Sequence, residues 1–174
     1  LTTPSGIQPE LSQEFQFFLH IKQYIEDEYE IKEINYFDRD FLIIRAWDKL
    51  LERSVAIKTP RYELNQLGIQ TRQTFTRLLN EAKVLSRFKH PGMIGIFGML
   101  TKPFSIIQEW IYDSSVQDLL DQEIETQEIL HIGIGLASTL EYLHSQGIVH
   151  RNLKPSNVML TQDGKVVLID LSIA

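Results

Sequence analysis

Cysteine is missing from all 174 residues. Its absence removes disulfides, thiolate metal ligands, cysteine nucleophiles and thiol redox sensing from the chemistry available, and leaves the compartment open. Cations are in short supply: 17 Lys and Arg face 23 Asp and Glu, for a formal charge of -6. Nucleic acid or an anionic membrane is therefore not expected as the main partner, although a local basic site remains possible. No window reaches the roughly 18 consecutive apolar residues of a transmembrane helix, and the N-terminus lacks the basic stretch and apolar core of a signal peptide. Five dispersed His make a poor case for a metal site. What is present, 43% apolar and 10% aromatic residues, suffices for a sizeable core in an ordinary globular protein. These features predict a soluble, intracellular and cytoplasmic protein. Position 1 is Leu rather than Met, so the chain is expected to be a piece of a longer protein whose function depends on its neighbours.

Residues 1–10 mix Pro, Gly, Ser and Thr without apolar periodicity and read as a tail. From Ser12 a helix is predicted: Ser12 caps it, and Phe15, Phe18, Leu19, Lys22 and Ile25 follow helical spacing. This stripe either docks on the following domain or binds a partner. Alternation then predicts strands over Tyr29–Ile34, Phe41–Trp47 and Ser54–Thr59. A long helix is expected over Thr71–Phe88, carrying Phe75, Leu78, Leu79, Ala82 and Leu85 and stopped by His90-Pro91-Gly92. Strand-like runs follow at Met93–Leu100 and Phe104–Trp110. Two helices are predicted next, over Val116–Gln122 and Thr126–Gln146, the second with a stripe of Ile129, Ile132, Leu136, Leu140 and Leu143. A polar loop, a short run at Val158–Leu160, a turn at Gln162–Lys165 and a strand at Val166–Ile169 complete the chain. No internal repeat or low-complexity tract interrupts it.

Three segments carry chemistry. Val55-Ala56-Ile57-Lys58 sets an ammonium beside an apolar row, although a surface lysine would give the same four letters. His150-Arg151-Asn152-Leu153-Lys154-Pro155-Ser156-Asn157 combines an imidazole, basic groups and amides in a loop after a long helix. Asp170-Leu171-Ser172 ends a strand, where a carboxylate meets a metal readily.

Taken together, and in this order, the segments resemble the protein kinase signatures V-A-I-K, H-R-D-L-x-x-x-N and D-F-G. The resemblance runs from about Tyr29 to the end of the chain, and Lys154-Pro155-Ser156-Asn157 is similar to the Ser/Thr branch. It implies an α+β protein kinase-like fold: a five-stranded antiparallel N-lobe sheet with the family's αC helix, followed by the first part of a mainly helical C-lobe. Residues 1–28 would form a tail and amphipathic helix, 29–111 the N-lobe and hinge, and 112–174 a partial C-lobe. ATP and Mg²⁺ are the implied cofactors. Lys58 would hold nucleotide phosphates, with Glu81 pairing it unless that glutamate is a solvated helical charge. Ala56 and Met159 would sandwich the base, Gln108 would be the gatekeeper, and Glu109, Trp110 and Ile111 the hinge. Asn157 and Asp170 would bind metal, while Asn152 and Lys154 occupy catalytic positions. Leu85, Ile96, His150 and Leu171 would stack as a spine between lobes, or simply as core.

The pattern also departs from the family. The phosphate-covering segment reads Ile34-Asn35-Tyr36-Phe37-Asp38-Arg39-Asp40-Phe41, and no glycine occurs between Gly6 and Gly68. Bulky side chains there would block close backbone approach, and Asp38 and Asp40 would repel a triphosphate, partly offset by Arg39, so ATP binding is expected to be weak. Asn152 stands where the family has its catalytic aspartate, and an amide accepts no proton at neutral pH. Ser172 replaces the glycine that most easily reaches positive φ. The chain stops at Ala174, so the activation segment and the rest of the large lobe are expected to lie outside it, leaving the face of the Thr126–Gln146 helix to a protein partner or neighbouring domain. Three readings follow: a pseudokinase acting in regulation or protein binding, an active but divergent Ser/Thr kinase (a transferase), or a structural domain without nucleotide.

Overall fold

A computed structural model describes residues 13–36, 40–61, 69–112 and 114–174. Helix α1 spans Gln13–Ile25 and leads into strands β1 (Tyr29–Tyr36), β2 (Phe41–Asp48) and β3 (Arg53–Pro60). Helix α2 (Ile69–Arg87) follows, then β4 (Ile96–Thr101) and β5 (Phe104–Glu109). These five strands form one antiparallel sheet in the order β1-β2-β3-β5-β4. The remainder comprises α3 (Val116–Leu119), α4 (Thr126–Ser145), a 3₁₀ turn at Pro155–Asn157 and a hairpin of β6 (Val158–Leu160) and β7 (Val166–Leu168). No described helix is long and apolar enough to cross a membrane.

The sheet is covered on both faces, and cross-strand register decides which side chain goes where. On one face Ile44 pairs with Ile57 and Ala46 with Val55, while Ile107 continues the row opposite Ile57. Ile21 and Ile25 of α1 pack onto this row and are fully buried. On the other face Ile43 pairs with Lys58, Lys58 with Ile106, and Ala56 with Gln108. Here α2 docks through Leu78 and Ala82 against Phe41 and Ile106. A lysine thus sits on a strand buried on both sides, which sets up everything at the site.

Of the predicted stripe of α1, Ile25 is buried and Phe18 half-buried, but Leu19 is 42% exposed and Lys22 is exposed; Ile21, outside that stripe, is the other docking residue. The spacing is helical, and Ile21 and Ile25, four residues apart, share the face that meets the sheet, while Leu19 and Lys22 lie off it. The residue 1–10 tail, the Ser12 cap and the side chain of Phe15 lie outside the described residues, as do Asp38 and Arg39. Helix α2 begins two residues earlier than predicted, and Leu79 on it is 38% exposed rather than core. The run from Met93 is not one strand. Met93 instead makes a bridge to Leu168, and β4 begins only at Ile96, with an irregularity between Ile96 and Gly98.

The second core joins the hairpin, α4 and the end of α2 through Leu85, Met93, Leu143, Leu168 and Leu171. Ile132, Leu136 and Leu140 are partly buried against it, but Ile129 is 55% exposed and leaves the predicted stripe. Helix α3 ends at Leu119, short of Gln122. Glycine is required where α4 meets its neighbours. A Cβ at Gly135 would lie 2.8 Å from the Val166 side chain, and one at Gly92 would lie 1.9 Å from the Thr139 hydroxyl. The glycine in His90-Pro91-Gly92 therefore serves close packing as much as helix termination.

Truncating a fully buried isoleucine removes its transfer energy and leaves a cavity. Ile21→Ala and Ile25→Ala should each lower unfolding stability by about 2–5 kcal/mol, measured by denaturant titration. Leu19→Ala should stay within about 0.5 kcal/mol of the parent.

Candidate active site

Lys58 is 2% exposed and its ammonium donates to two carboxylates, Glu81 Oε2 at 2.7 Å and Asp170 Oδ1 at 2.9 Å. The first lies on α2 and the second follows β7, so one side chain ties the sheet to both halves of the chain. Burial alone would lower the ammonium's pKa, but the two facing carboxylates outweigh it and hold it above the ordinary range. Burial pushes the Glu81 carboxyl up, against the pull of Lys58 and a hydrogen bond from Gln108. Burial opposes the charge of Asp170 as well, but Lys58 and hydrogen bonds from Lys58, Ser172 and Asn152 prevail, and its pKa is lowered. One cation thus serves two buried anions, and the more deeply buried Glu81 bears the imbalance. Gln108 Nε2 donates to Glu81 Oε1 at 3.0 Å, which fixes both oxygens of that carboxylate. The alternative of a solvated Glu81 is excluded, since it is fully buried.

The loop after α4 is held from within. His150 is buried; its Nε2 donates to the Ile169 carbonyl at 3.1 Å, and its Nδ1 accepts from the Asn152 N–H at 3.3 Å. This pairing assigns the neutral Nε2–H tautomer, and burial lowers the ring's pKa below its ordinary value of 6.5. Asn152 Nδ2 donates to Asp170 Oδ2 at 2.8 Å, so both oxygens of Asp170 are occupied. Asn157 Nδ2 donates to the Asn152 carbonyl at 2.8 Å. The backbone takes positive φ at Arg151 (61°) and Asp170 (63°), and not at Ser172. The expected strain from replacing glycine at 172 is therefore absent; the left-handed residue is Asp170, a type that tolerates the conformation.

Beside this cluster lies a cavity of about 340 Å³, walled by Ile43, Ala56, Ile94, Met159 and Ile169 and bordered by Gln108, Glu109, Trp110 and Ile111. Lys58, Glu81 and Asp170 close one end, and Lys154 stands at its edge. Arg45 braces the connection between the halves, its guanidinium 5.3 Å from the Trp110 ring and 5.2 Å from the Tyr112 ring.

A cavity between a five-stranded sheet and a helical half, closed by a buried Lys–Glu–Asp cluster, coincides with a match to the protein kinase domain model over residues 42–174. The chain belongs to the protein kinase family. A probable serine/threonine-protein kinase of Streptomyces coelicolor is 32% identical over 141 residues, covering 76% of this chain and 20% of its own length. The serine/threonine-protein kinase PknD of Chlamydia abortus is 33% identical over 141 residues, 72% of this chain and 15% of its own. A probable inactive serine/threonine-protein kinase of Dictyostelium discoideum is 39% identical over 100 residues, 55% of this chain and 8% of its own. The chain thus spans a fifth or less of the length of these three relatives.

Lys58, Glu81, Ala56, Glu109, Ile111, Lys154, Met159 and Asp170 meet around one cavity and Asn152 and Asn157 join them through hydrogen bonds, with three qualifications. Asp40, expected to face a triphosphate, instead accepts from Arg77 Nη1 of α2 at 2.8 Å. Asn152, expected from the resemblance to stand at the proton-acceptor position, donates its amide to Asp170. Phe41, treated above only as bulk near a missing glycine, is buried with its ring centroid 4.7 Å from Lys58 Nζ. Sequence reasoning missed this contact and the Gln108–Glu81 bond. The first follows from register alone, since Phe41 lies two residues from Ile43 and so shares the face of Lys58.

The residues partly fit a hard cation. Asn157 Oδ1 is a buried oxygen with no hydrogen-bond partner, the donor type Mg²⁺ takes. Asp170 would provide the second oxygen through the carboxylate lone pairs that Lys58 and the Asn152 amide leave unused.

Removing Lys58 would strand two buried carboxylates. Lys58→Met should cost about 3–5 kcal/mol of unfolding stability. Acid should weaken the fold through His150. Because the folded pKa is depressed, the unfolded chain takes up the proton first. The contribution is complete above pH 6.5 and is lost as pH falls from there through the folded value. His150→Phe should show a shallower loss of stability over that window in denaturant titrations at stepped pH.

Proposed function

We propose that this kinase domain is a pseudokinase, acting through regulation or protein binding with phosphoryl transfer lost or severely reduced. The observation that carries this is Asn152: at the position of the family's proton acceptor stands an amide, and its N–H is spent on Asp170. General-base help is worth roughly 10²- to 10⁴-fold in rate, or about 3 to 5 kcal/mol of barrier. The Dictyostelium relative named as probably inactive is consistent with this reading.

The cavity is read as the nucleotide site. Ala56 and Met159 would flank the base, the backbone of Glu109 to Ile111 would meet its edge, and Lys58, oriented by Glu81, would be the cation nearest the phosphates. Asn157 and Asp170 would hold Mg²⁺, which supplies charge neutralisation on phosphate when bound. Residues 29–111 and 112–174 would form the two lobes, with 1–28 as an appended segment, and a protein partner or adjoining domain would receive the output. A cytoplasmic setting suits this role.

An active, divergent Ser/Thr kinase is the second reading. It is favoured by the intact Lys58–Glu81 pair and the unpartnered Asn157 oxygen, and two of the relatives carry serine/threonine-protein kinase in their names.

Transfer of radiolabelled phosphate by the full-length protein, with Lys58→Met as the blank, separates the readings. The proposal expects wild-type signal at the blank level, and turnover of about 1–100 s⁻¹, the ordinary kinase range, would overturn it. Should a residual rate exceed the blank, Asn152→Asp should raise it by about 10²-fold or more. An unchanged rate would refute the missing-base account.

A further inference from the structure

We propose that the outer edge of β4 receives an extended segment of a partner protein, which adds a sixth strand to the sheet. The segment is uncharged along its middle, acidic at its N-terminal end and basic at its C-terminal end. The inference rests on reading this domain as one that acts through protein binding. A chain that transferred phosphate and also took up such a segment would fail that reading and leave this one standing.

The strand β4 ends the sheet and has β5 as its one neighbour there. Among the described residues, the backbone groups on its other side meet no partner. The irregularity between Ile96 and Gly98 is confined to the start of the strand, and from Gly98 to Thr101 the pairing with β5 runs without a break. A row of unpaired N–H and C=O groups is a template for another strand, and proteins commonly guard such edges with charged side chains. The opposite edge is guarded in this way. There β1 carries Glu30, Lys32 and Glu33, with Lys32 paired to Glu30 and Glu33 to Arg45. From Ile96 to Thr101, by contrast, β4 holds no charge and no proline. Phe97 and Met99 are each 41% exposed, and a Cβ at Gly98 would meet nothing within 4 Å. The edge therefore offers apolar contact and room for a neighbour's side chains as well as main-chain bonds, the combination that strand addition uses.

Charges stand at the two ends of this edge instead. The exposed Lys102 follows the strand directly. At its start, a Cβ on Gly95 would lie 3.2 Å from Glu109 Oε2, which places a carboxylate beside that end. Neither Lys102 nor Glu109 is in an ion pair among the described residues. Every pairing in this sheet is antiparallel. A strand added in the same sense sets its N-terminal end against Lys102 and its C-terminal end against Glu109, so complementarity asks for acid first and base last. A second copy of this chain suits the edge less well. At a formal charge of -6 two copies repel, and a six-residue edge is small against the roughly 1,200 Å² of a stable protein–protein interface.

The probe is the acetylated, amidated peptide Glu-Val-Thr-Val-Thr-Val-Lys, titrated into the full chain by calorimetry with amide hydrogen exchange to locate it. It should bind with a Kd below about 1 mM and slow exchange within residues 98–101. Methylating the backbone nitrogen of each Val and Thr should weaken binding about tenfold or more, and exchanging the terminal Glu and Lys about threefold or more. Lys102→Glu should reverse the preference between the two charge forms. Met99→Lys, at an exposed position, should weaken both without moving the unfolding midpoint. No binding by either charge form below about 1 mM, equal binding of the N-methylated peptide, or protection away from β4 would overturn the proposal. An unaltered preference in Lys102→Glu would overturn the charge matching. Self-association in sedimentation that Met99→Lys abolishes would make a second copy the occupant and likewise overturn it. The three peptides compared on the unmodified protein decide even if neither variant folds.

Discussion

A lysine ammonium in a nearly dry interior is tolerable only if its charge is met on every side, and Lys58 satisfies that condition with protein groups alone. Glu81 comes from α2, Asp170 from the segment after β7, and Phe41 from the strand next door. A single cation therefore fixes the helix against the sheet and the second half of the chain against the first. The same saturation limits the chemistry. A group already satisfied by its neighbours gives a ligand less than one held in readiness, and the loop residues repeat the pattern, with the Asn152 amide on Asp170 and the Asn157 amide on the Asn152 carbonyl. Only the Asn157 carbonyl oxygen is buried without a partner among the side-chain oxygens of this cluster.

The burial of Lys58 depends in turn on the far face of the sheet. Because α1 covers Ile44, Val55 and Ile57 through Ile21 and Ile25, β3 is shielded on both sides and its inward residues are held in low dielectric, where ion pairing is strong and an unpaired charge is costly. The helix at the start of the chain therefore acts on the site indirectly, by fixing the strand that carries the ammonium. Gln108 extends the arrangement on the other side. By holding the second oxygen of Glu81, it keeps α2 close to the sheet without any ligand.

Much of this was legible in the amino-acid sequence, for identifiable reasons. Short alternating runs mark β2 and β3 because one face per strand is apolar, and the spaced motifs at Lys58, His150 to Asn157 and Asp170 announce the site because each residue type is chemically specific. What was not legible depends on three-dimensional register. Ile21 joins the predicted Ile25 in facing the sheet, and Leu19 and Lys22 do not, because of how the helix is rotated on it. The seat of the Phe41 ring on Lys58 and the reach of the Asn152 amide to Asp170 require knowing which strands pair and how the loop folds back. The strain expected at Ser172 was misplaced because the backbone sets its positive φ two residues earlier, at Asp170.

The central claim is that the cluster around Lys58 is satisfied from within, with the Asn152 amide committed to Asp170 where the family has its proton acceptor. A crystal structure of the full chain grown with excess ATP and Mg²⁺ addresses it most directly. The account predicts the Phe41 ring still on Lys58, the Asn152 amide still on Asp170 and no ordered phosphate chain. A triphosphate ordered against Lys58, with a metal ion bridging Asn157 and Asp170, would contradict it.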